Sequence, residues 1–427
     1  MQETSTSTSA SASGPRMDLG DLPGELLTEI ARRLPCRADL VALTAALRRP
    51  IAPPAPHPAL PWLLVPHSSP PVLAPGEART ARFACIGCGG PHDLRVPEEF
   101  AAGRFFGSYP PGWVFLAGAQ DSEHALINLY TRTRALLPDF LFLAEDATRQ
   151  RRRMVMVAAA LSAKPLDPGE ICFGAAIVGT PFDSDINNGA PVFALWVLNR
   201  TACDERPVAH GFRIAVAAGL QQQNLVLEDV VYHRGAFYFL TSEEQVVAVH
   251  VVVDDHDQRL LARQQVIEHR RAANPQGVLV SGRYLVASHG EWAMLVRFHL
   301  AGVGGRVPGP AMRVVMYGGQ IHHGDAFRTW TEAPAESLPG LIVFAARGCS
   351  SSFEDPDGLY KLNPGVRYLD DRDARDMRII VEKNPRLRDY RCNDTSGFGW
   401  PPAAYHLYRI WVDYPSSCNS SPIWCFP

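Results

Sequence analysis

Three clusters in this chain hold residue types that bind metals or move protons. Cys85 and Cys88 form Cys-x-x-Cys with His92 four residues on. Thiolates plus an imidazole are the donors of a tetrahedral zinc site. No second pair follows at matching spacing, so a loop of ordinary thiols is the stronger reading. His322, His323 and Asp325 flank Gly324 and read as a polar surface turn. Asp370, Asp371 and Asp373 could hold a cation, but an acidic turn is far commoner. The phrase "GCSSS" at 348–352 lacks the Gly-x-Ser-x-Gly elbow of a hydrolase nucleophile, and no histidine can be paired with it. "GVGGRVPG" at 302–309 lacks phosphate-loop spacing. Trp113, Trp196, Trp292, Trp330 and Trp400 occupy strand-like positions and suit core packing better than base stacking. No catalytic, metal-binding or cofactor-binding residue is assigned, and no cofactor is expected.

Composition narrows the classes further. The 46% hydrophobic and 20% charged fractions are those of a globular protein. A net charge of −3 argues against a dedicated nucleic-acid binder. The cluster Arg149, Arg151, Arg152 and Arg153 reads as a solvated loop rather than a localisation signal. Nine scattered cysteines, an odd number, point to reduced thiols and a nuclear or cytoplasmic setting. The Ser/Thr/Ala-rich start has no apolar core of a signal peptide and reads as a disordered tail over residues 1–17. No apolar run reaches membrane-spanning length, so no membrane partner is expected.

The elements that must position any site differ sharply along the chain. Leu22, Leu26 or Leu27, Ile30 and Leu34 recur at helical spacing. Pro23 suits the first turn, Pro35 ends the helix, and Asp39 can cap a second, shorter one. Residues 50–75 are too rich in proline for a helix and read as an extended linker. Within them "LPWLLVP", 60–66, is apolar enough to dock on the domain that follows.

Beyond residue 80 the pattern is short apolar runs broken by Gly, Pro, Asn and Asp. Residues 227–253 give three strands, Val230–Tyr232, Phe237–Leu240 and Val246–Val253, joined by tight turns. Residues 277–298 give three more, with turns at Gly282 and Gly290. Connections this short force antiparallel neighbours. Serial meanders over so long a stretch favour a β-propeller of about six to eight blades over a pair of sandwiches. The fold class is thus mainly β: a small N-terminal all-α module, then a large antiparallel propeller-like domain. The expected boundaries are 1–17 tail, 18–49 helical module, 50–80 linker and 81–427 propeller. The terminal apolar phrase "PIWCF" is expected to close the ring beside an early strand.

"DLPGELLTEIARRLP" resembles the F-box, whose core is Leu-Pro, then Leu or Ile, then a Leu before the helix break. The resemblance implies binding of a Skp-type adaptor and, through it, a cullin in an SCF-type ubiquitin ligase. The matching positions are Leu22, Pro23, Leu26, Ile30, Leu34 and Leu40. A unit this small cannot bury its own apolar face and needs a partner. The Val-Cys-Arg-x-Trp phrase usual in that family is altered here. Leu47 takes the cysteine position, Arg48 matches the arginine, and Pro50 falls where the tryptophan belongs, which shortens the third helix.

The remainder resembles the KIB-type β-propeller domain of plant F-box proteins. The motifs are "LPWLLVP", "GSYPPGWVFLAG", "LINLYTRTRALLP", "LEDVVYHRGAFYFLT", "LPGLIVFAARGCSSSF", "PGVRYLDD", "CNDTSGF" and "SPIWCFP", in the family's order. In "LINLYTRTRALLP" the family's usual Pro and Gly are missing, so a remodelled turn is expected. The combined resemblance implies a non-catalytic substrate adaptor for protein ubiquitination, with the propeller holding an unknown target protein. Two readings compete with it: an interaction module with a degenerate F-box, and a propeller glycosidase with paired carboxylates, for which no pair can be named.

Overall fold

The computed structural model describes residues 22–34, 36–47, 60–65, 80–86, 91–95, 103–146, 150–167, 170–179, 191–198, 206–216, 225–254, 259–267, 278–288, 291–300, 310–317, 330–333, 341–354, 362, 365–369, 371, 375–384, 387–388, 390–391, 416–417 and 420–426. The tail 1–17, Pro35, Arg48, Pro50, most of the proline-rich stretch, Cys88, Arg149, 302–309, 322–325, Asp370, Asp373, "CNDTSGF", Gly290 and Trp400 lie outside them. The chain divides into two compact units, residues 1–59 and 60–427.

The first unit holds helix α1, Gly24–Arg32, and helix α2, Arg37–Leu47. Pro23 precedes α1 as its N-cap residue, one position earlier than the sequence suggests, and its carbonyl accepts the Leu27 N–H. Glu25 in the first turn and Arg32 in the last complement the helix dipole. Glu29 pairs with Arg32 at 3.1 Å and with Arg33 at 2.9 Å, exposed contacts worth only about 0.3–0.5 kcal/mol each. Asp39 sits inside the first turn of α2 rather than capping it.

The second unit is a ring of sheets. Sheet I comprises Arg104–Tyr109, Trp113–Ala117, His124–Asn128 and Arg134–Leu136. Sheet II has Val155–Leu161, Cys172–Gly179, Val192–Leu198 and Ala209–Arg213, extended by Phe140–Leu143 and Arg151–Arg153. Sheet III is Leu227–His233, Ala236–Thr241, Val246–Val253 and Leu260–Ile267. Sheet IV is Val278–Ser288, Glu291–Leu300, Pro310–Tyr317 and Trp330–Ala333. Sheet V is three-stranded, with Leu341–Ala345 between Ser351–Glu354 and Gly365–Tyr368. A closing sheet runs Ile423–Cys425, Trp62–Val65, Thr80–Cys85, Pro91–Arg95.

The first strand of each meander lies innermost, and consecutive inner strands lie against one another from sheet I through sheet IV. A separate apolar core fills each gap. Phe106, Phe115, Met156 and Trp196 share the one between I and II, and Phe193, Phe237 and Phe239 the one between II and III. Leu240, Leu285 and Met294 join III to IV, and Tyr284, Leu295 and Val343 join IV to V. The ring closes where Ile423–Cys425 pairs with Trp62–Val65, Leu63 opposite Trp424. That terminal strand also lies against the inner strand of sheet I, while Trp424 stacks edgewise on Phe344 of sheet V at 5.0 Å.

The architecture is a mainly β, five-bladed propeller-like arrangement, counting sheets of four or more strands among the described residues. Chain length suggests about six to eight blades; among the described residues two extra strands widen sheet II and sheet V shows three. Four further expectations are corrected. The propeller unit begins at Leu60, not residue 81, because Trp62–Val65 is hydrogen-bonded on both edges. Gly282 makes no turn but borders a β-bulge inside one long strand, Val278–Ser288, where the register skips Ser281, and an isolated strand glycine often marks such a bulge. Arg151–Arg153 is a strand, not a loop, with Arg151 over the Phe140 ring at 3.9 Å. Finally, two neighbours are parallel: Ala209–Arg213 with Phe140–Leu143, and Leu341–Ala345 with Gly365–Tyr368. The tight turn of sheet III is as expected, with Arg234 at φ 45° and Gly235 at φ 88°, the pair of positive angles a two-residue hairpin requires.

Candidate functional site

On α1 the two adjacent leucines of the sequence pattern separate. Leu27 and Ala31 are buried, whereas Leu26 is 52% exposed and Ile30 37%. Leu26 and Ile30 lie one helical turn apart and form an apolar stripe that begins at exposed Pro23. Leu22, Leu34 and Leu40 are half-buried. Burying a Leu or Ile fully is worth roughly 1.5–3 kcal/mol, so such a stripe can anchor a partner.

In the ring, the residues of the "ARGCSSS" phrase occupy the centre. Gly348, at φ 64°, comes so close to the inner strands of sheets I and II that a Cβ there would sit 2.9 Å from the Phe106 oxygen and 3.1 Å from the Ala159 nitrogen. Its carbonyl accepts the Ser108 N–H at 3.1 Å, and its own N–H donates to Asp229 Oδ1 at 2.9 Å. Arg347 beside it donates to Glu228 Oε2 at 2.8 Å, to the Glu228 carbonyl at 2.9 Å and to Asp371 Oδ1 at 3.2 Å. Arg375 meets Glu228 Oε1 at 2.7 Å, and the Tyr284 hydroxyl donates to Asp371 Oδ1 at 2.9 Å. Asp371, expected on an acidic surface turn, is therefore a buried ion-pair partner. Ser350 closes the turn by donating to the Ala346 carbonyl.

Two acids of this hub, Glu228 and Asp229, shift in opposite directions. Burial works to raise the Glu228 pKa, but the Arg347 and Arg375 guanidiniums outweigh it and hold the carboxyl at about 2. Burial pushes Asp229 up to about 7, against N–H donors from Gly348, Leu285 and Val230. Glu228, Asp371 and Asp229 are thus bound by guanidiniums or backbone amides, which is a structural use of carboxylates.

A second buried pair joins sheets I and II. His124 Nδ1 donates to Asp139 Oδ1 at 2.7 Å, and Nε2 accepts the Met156 N–H at 3.3 Å, so both ring nitrogens are engaged. Burial lowers the His124 pKa, keeping the ring neutral. Cys85 is buried, and the His92 ring stacks on Trp62 at 5.7 Å. Trp113 and Trp196 are core residues, as expected.

The two ends of the ring differ. Where the inner strands begin, a strap lies over them, described at residues 375–384, 387–388 and 390–391. It carries the one-turn helix α3, Met377–Ile380. Arg375 holds Glu228, Lys383 meets buried Asp121 at 2.9 Å, and the Tyr390 hydroxyl donates to Gln120 Oε1 at 3.1 Å. Ile380 inserts into the core between sheets II and III. Where the inner strands finish, Tyr109 ends that of sheet I and Tyr232 stands one residue before the end of that of sheet III. Glu170 and Ile171 lead into the second strand of sheet II at the same end, and Ile171 is 65% exposed. Tyr109 feels Cys172, Glu170 and Tyr232, which places the four together, and burial pushes its hydroxyl up to about 12.

The sequence from residue 87 to 381 matches the profile of the KIB1-4 beta-propeller family, more than half of the chain. The chain belongs to that family. The KIB1-4 match takes in the inner strands of sheets I to IV, the hub and α3, while the strands that close the ring, Trp62–Val65 and Ile423–Cys425, lie outside it. No curated protein matches the chain. Among solved structures there are weak likenesses. A proposed 6-phosphogluconolactonase from Bacteroides fragilis has a TM-score of 0.31 and 11% identity, over 66% of this chain and 69% of that one. Its counterpart from Bacteroides uniformis gives 0.30 and 12% over the same shares. The allergen Mala s 1 of Malassezia sympodialis gives 0.24 and 8%, over 57% of this chain and 83% of that one.

The KIB1-4 hub itself was missed by sequence reasoning. Glu228 and Asp229 fall in a strand motif, Arg347 in a serine-rich phrase and Asp371 in an acidic run, and nothing local links them.

Proposed function

We propose that this chain is the substrate-recognition subunit of an SCF-type cullin–RING ubiquitin ligase. Its F-box-like helices would bind a Skp-type adaptor, and its propeller would hold a target protein. The observation that carries the reading is the α1 stripe: Pro23, Leu26 and Ile30 face solvent while Leu27 and Ala31 pack inward. A helix turning two large aliphatic side chains outward one turn apart suits a groove on a partner. The buried carboxylates of the hub, Glu228, Asp229 and Asp371, are committed to arginines and amides, which favours a non-catalytic subunit over a glycosidase. Ubiquitin transfer would then belong to the partners. A plant origin, and a nuclear or cytoplasmic setting with reduced cysteines, go with this reading.

The test is co-purification of a Skp-type adaptor with the intact chain and with Leu26→Arg/Ile30→Arg. Retention by the intact chain and loss in the double variant supports the proposal. An intact chain that retains no adaptor overturns it. Pro50, standing where the F-box pattern has tryptophan, favours a second reading, an interaction module that no longer recruits a ligase. That reading predicts target binding without adaptor.

A further inference from the structure

We propose that targets dock at the end of the ring where the inner strands finish, and that the docked element is an extended, proline-bearing segment with a basic residue beside it. The proposal rests on the reading of the ring as a target holder and adds the face and the chemistry.

The choice of face follows from what each end has left to offer. At the starting end the strap lies across sheets I, II and III and is fixed by two ion pairs, a tyrosine hydrogen bond and the Ile380 side chain. Beneath it the charged groups are already paired with one another. A partner arriving there would have to displace the strap and then break buried ion pairs, an unfavourable exchange.

The finishing end has the opposite character. Tyr109 and Tyr232 are each half-buried, so their rings are held in place while one side of each meets solvent. Ile171 is 65% exposed and sits between Glu170 and Cys172, two residues that Tyr109 feels, and the Cys172 thiol donates to the Ala163 carbonyl at 3.2 Å. Fixed tyrosines beside an exposed aliphatic side chain match the hydrophobic centre of a protein interface, where rigid aromatics supply contact at little entropic cost. Aromatic-lined surfaces of this kind take polyproline segments, which arrive already extended and lose little freedom on binding. The ionised side chain felt by both tyrosines is exposed Glu170, and it calls for a lysine or arginine next to the prolines.

A randomised peptide library displayed on phage, selected on the full-length protein, tests both halves. The expected result is enrichment of peptides carrying proline and an adjacent Lys or Arg. Affinity of a selected peptide should fall at least about tenfold in Ile171→Glu, and Glu170→Lys should shift the selection toward acidic flanks. Leu387→Glu, an exposed position on the strap, should change affinity by less than about twofold. Thermal unfolding of each variant confirms that it is folded. Selection of peptides without proline, indifference to Ile171→Glu, loss in Leu387→Glu, or no enrichment at all would each overturn the proposal. Adaptor retention is read separately. A chain that selects these peptides but keeps no adaptor refutes the ligase reading and leaves the docking face standing, and the reverse result does the opposite.

Discussion

The helical module and the centre of the ring divide their resources in opposite ways. On α1 the residues are chemically plain, leucine, isoleucine and proline, yet Leu26 and Ile30 are left facing water. At the ring's centre Glu228, Asp229, Arg347 and Asp371 could each do chemistry, yet every one is buried and bound by another group of the same domain. Reactive residue types therefore mark the scaffold here, and plain apolar ones mark the surface that reaches outward. What distinguishes a site is unmet valence, an exposed apolar face or an unpaired charge, rather than residue type.

The largest effect is expected at the ring's seam. Removing residues 421–427 strips the inner strand of the closing sheet and the fully buried Trp424. Losing Trp424 alone should cost about 3–5 kcal/mol, so the truncated chain should show no cooperative melting transition near that of the intact chain. An unchanged melting temperature would refute closure by this strand.

Next in size is Arg347→Ala, which leaves Glu228 and Asp371 buried without their shared partner. It should destabilise the ring by about 3–5 kcal/mol in chemical denaturation. A loss under about 1 kcal/mol would show the hub to be ornamental.

The hub also predicts a pH profile. Asp229 binds its proton more tightly folded than unfolded, so its contribution is fully present below about pH 4 and is lost as pH rises toward 7. Glu228 acts with the other sign: its stabilisation is present above about pH 4.5 and is lost as pH falls toward 2. Melting temperature measured against pH should accordingly decline on both sides of a maximum between about pH 4 and 5 in so far as these two groups dominate, and Asp229→Asn should abolish the slope on the neutral side.

A smaller effect is expected in the sheet I turn. Arg132 holds φ 60°, in the left-handed region that favours glycine. Arg132→Gly relieves a left-handed conformation at the cost of extra freedom in the unfolded chain, for a net gain of about 0.5–1 kcal/mol. Smallest of all, Leu26→Ser/Ile30→Ser should leave stability within about 0.5 kcal/mol, since both side chains already meet solvent. A large loss would mean that the stripe serves folding and is no docking surface.

Sequence and structure agree where the physics is local. The three strands and two turns of residues 227–253 were legible because alternating apolar residues and a positive-φ glycine act within a few positions of one another. The closing strand was legible because a short apolar run at the end of a meander has nothing else to pair with. Gly282 was misread because a bulge and a turn both call for glycine, and only the register on the neighbouring strand tells them apart. The outward face of α1 was half legible. The helical repeat accepts Leu26 or Leu27 equally, and packing decided which of the two stayed exposed. The hub was illegible, since Glu228 belongs to sheet III while Arg347 and Asp371 follow strands of sheet V, and they meet only once those sheets have come together.

The pairing of Trp62–Val65 with Ile423–Cys425 also sets an order of events during synthesis. Trp62–Val65 emerges from the ribosome before any other strand described here, and its partner emerges after all of them. Through that interval one edge of the early strand has no lasting neighbour, and open apolar edges invite association with other chains. Closing so long a loop costs little more than closing one of half the length, because the entropy grows only with the logarithm of the span. The hazard is thus the waiting time rather than the final step, and the ring should gain protease resistance abruptly, at the moment its last strand becomes available.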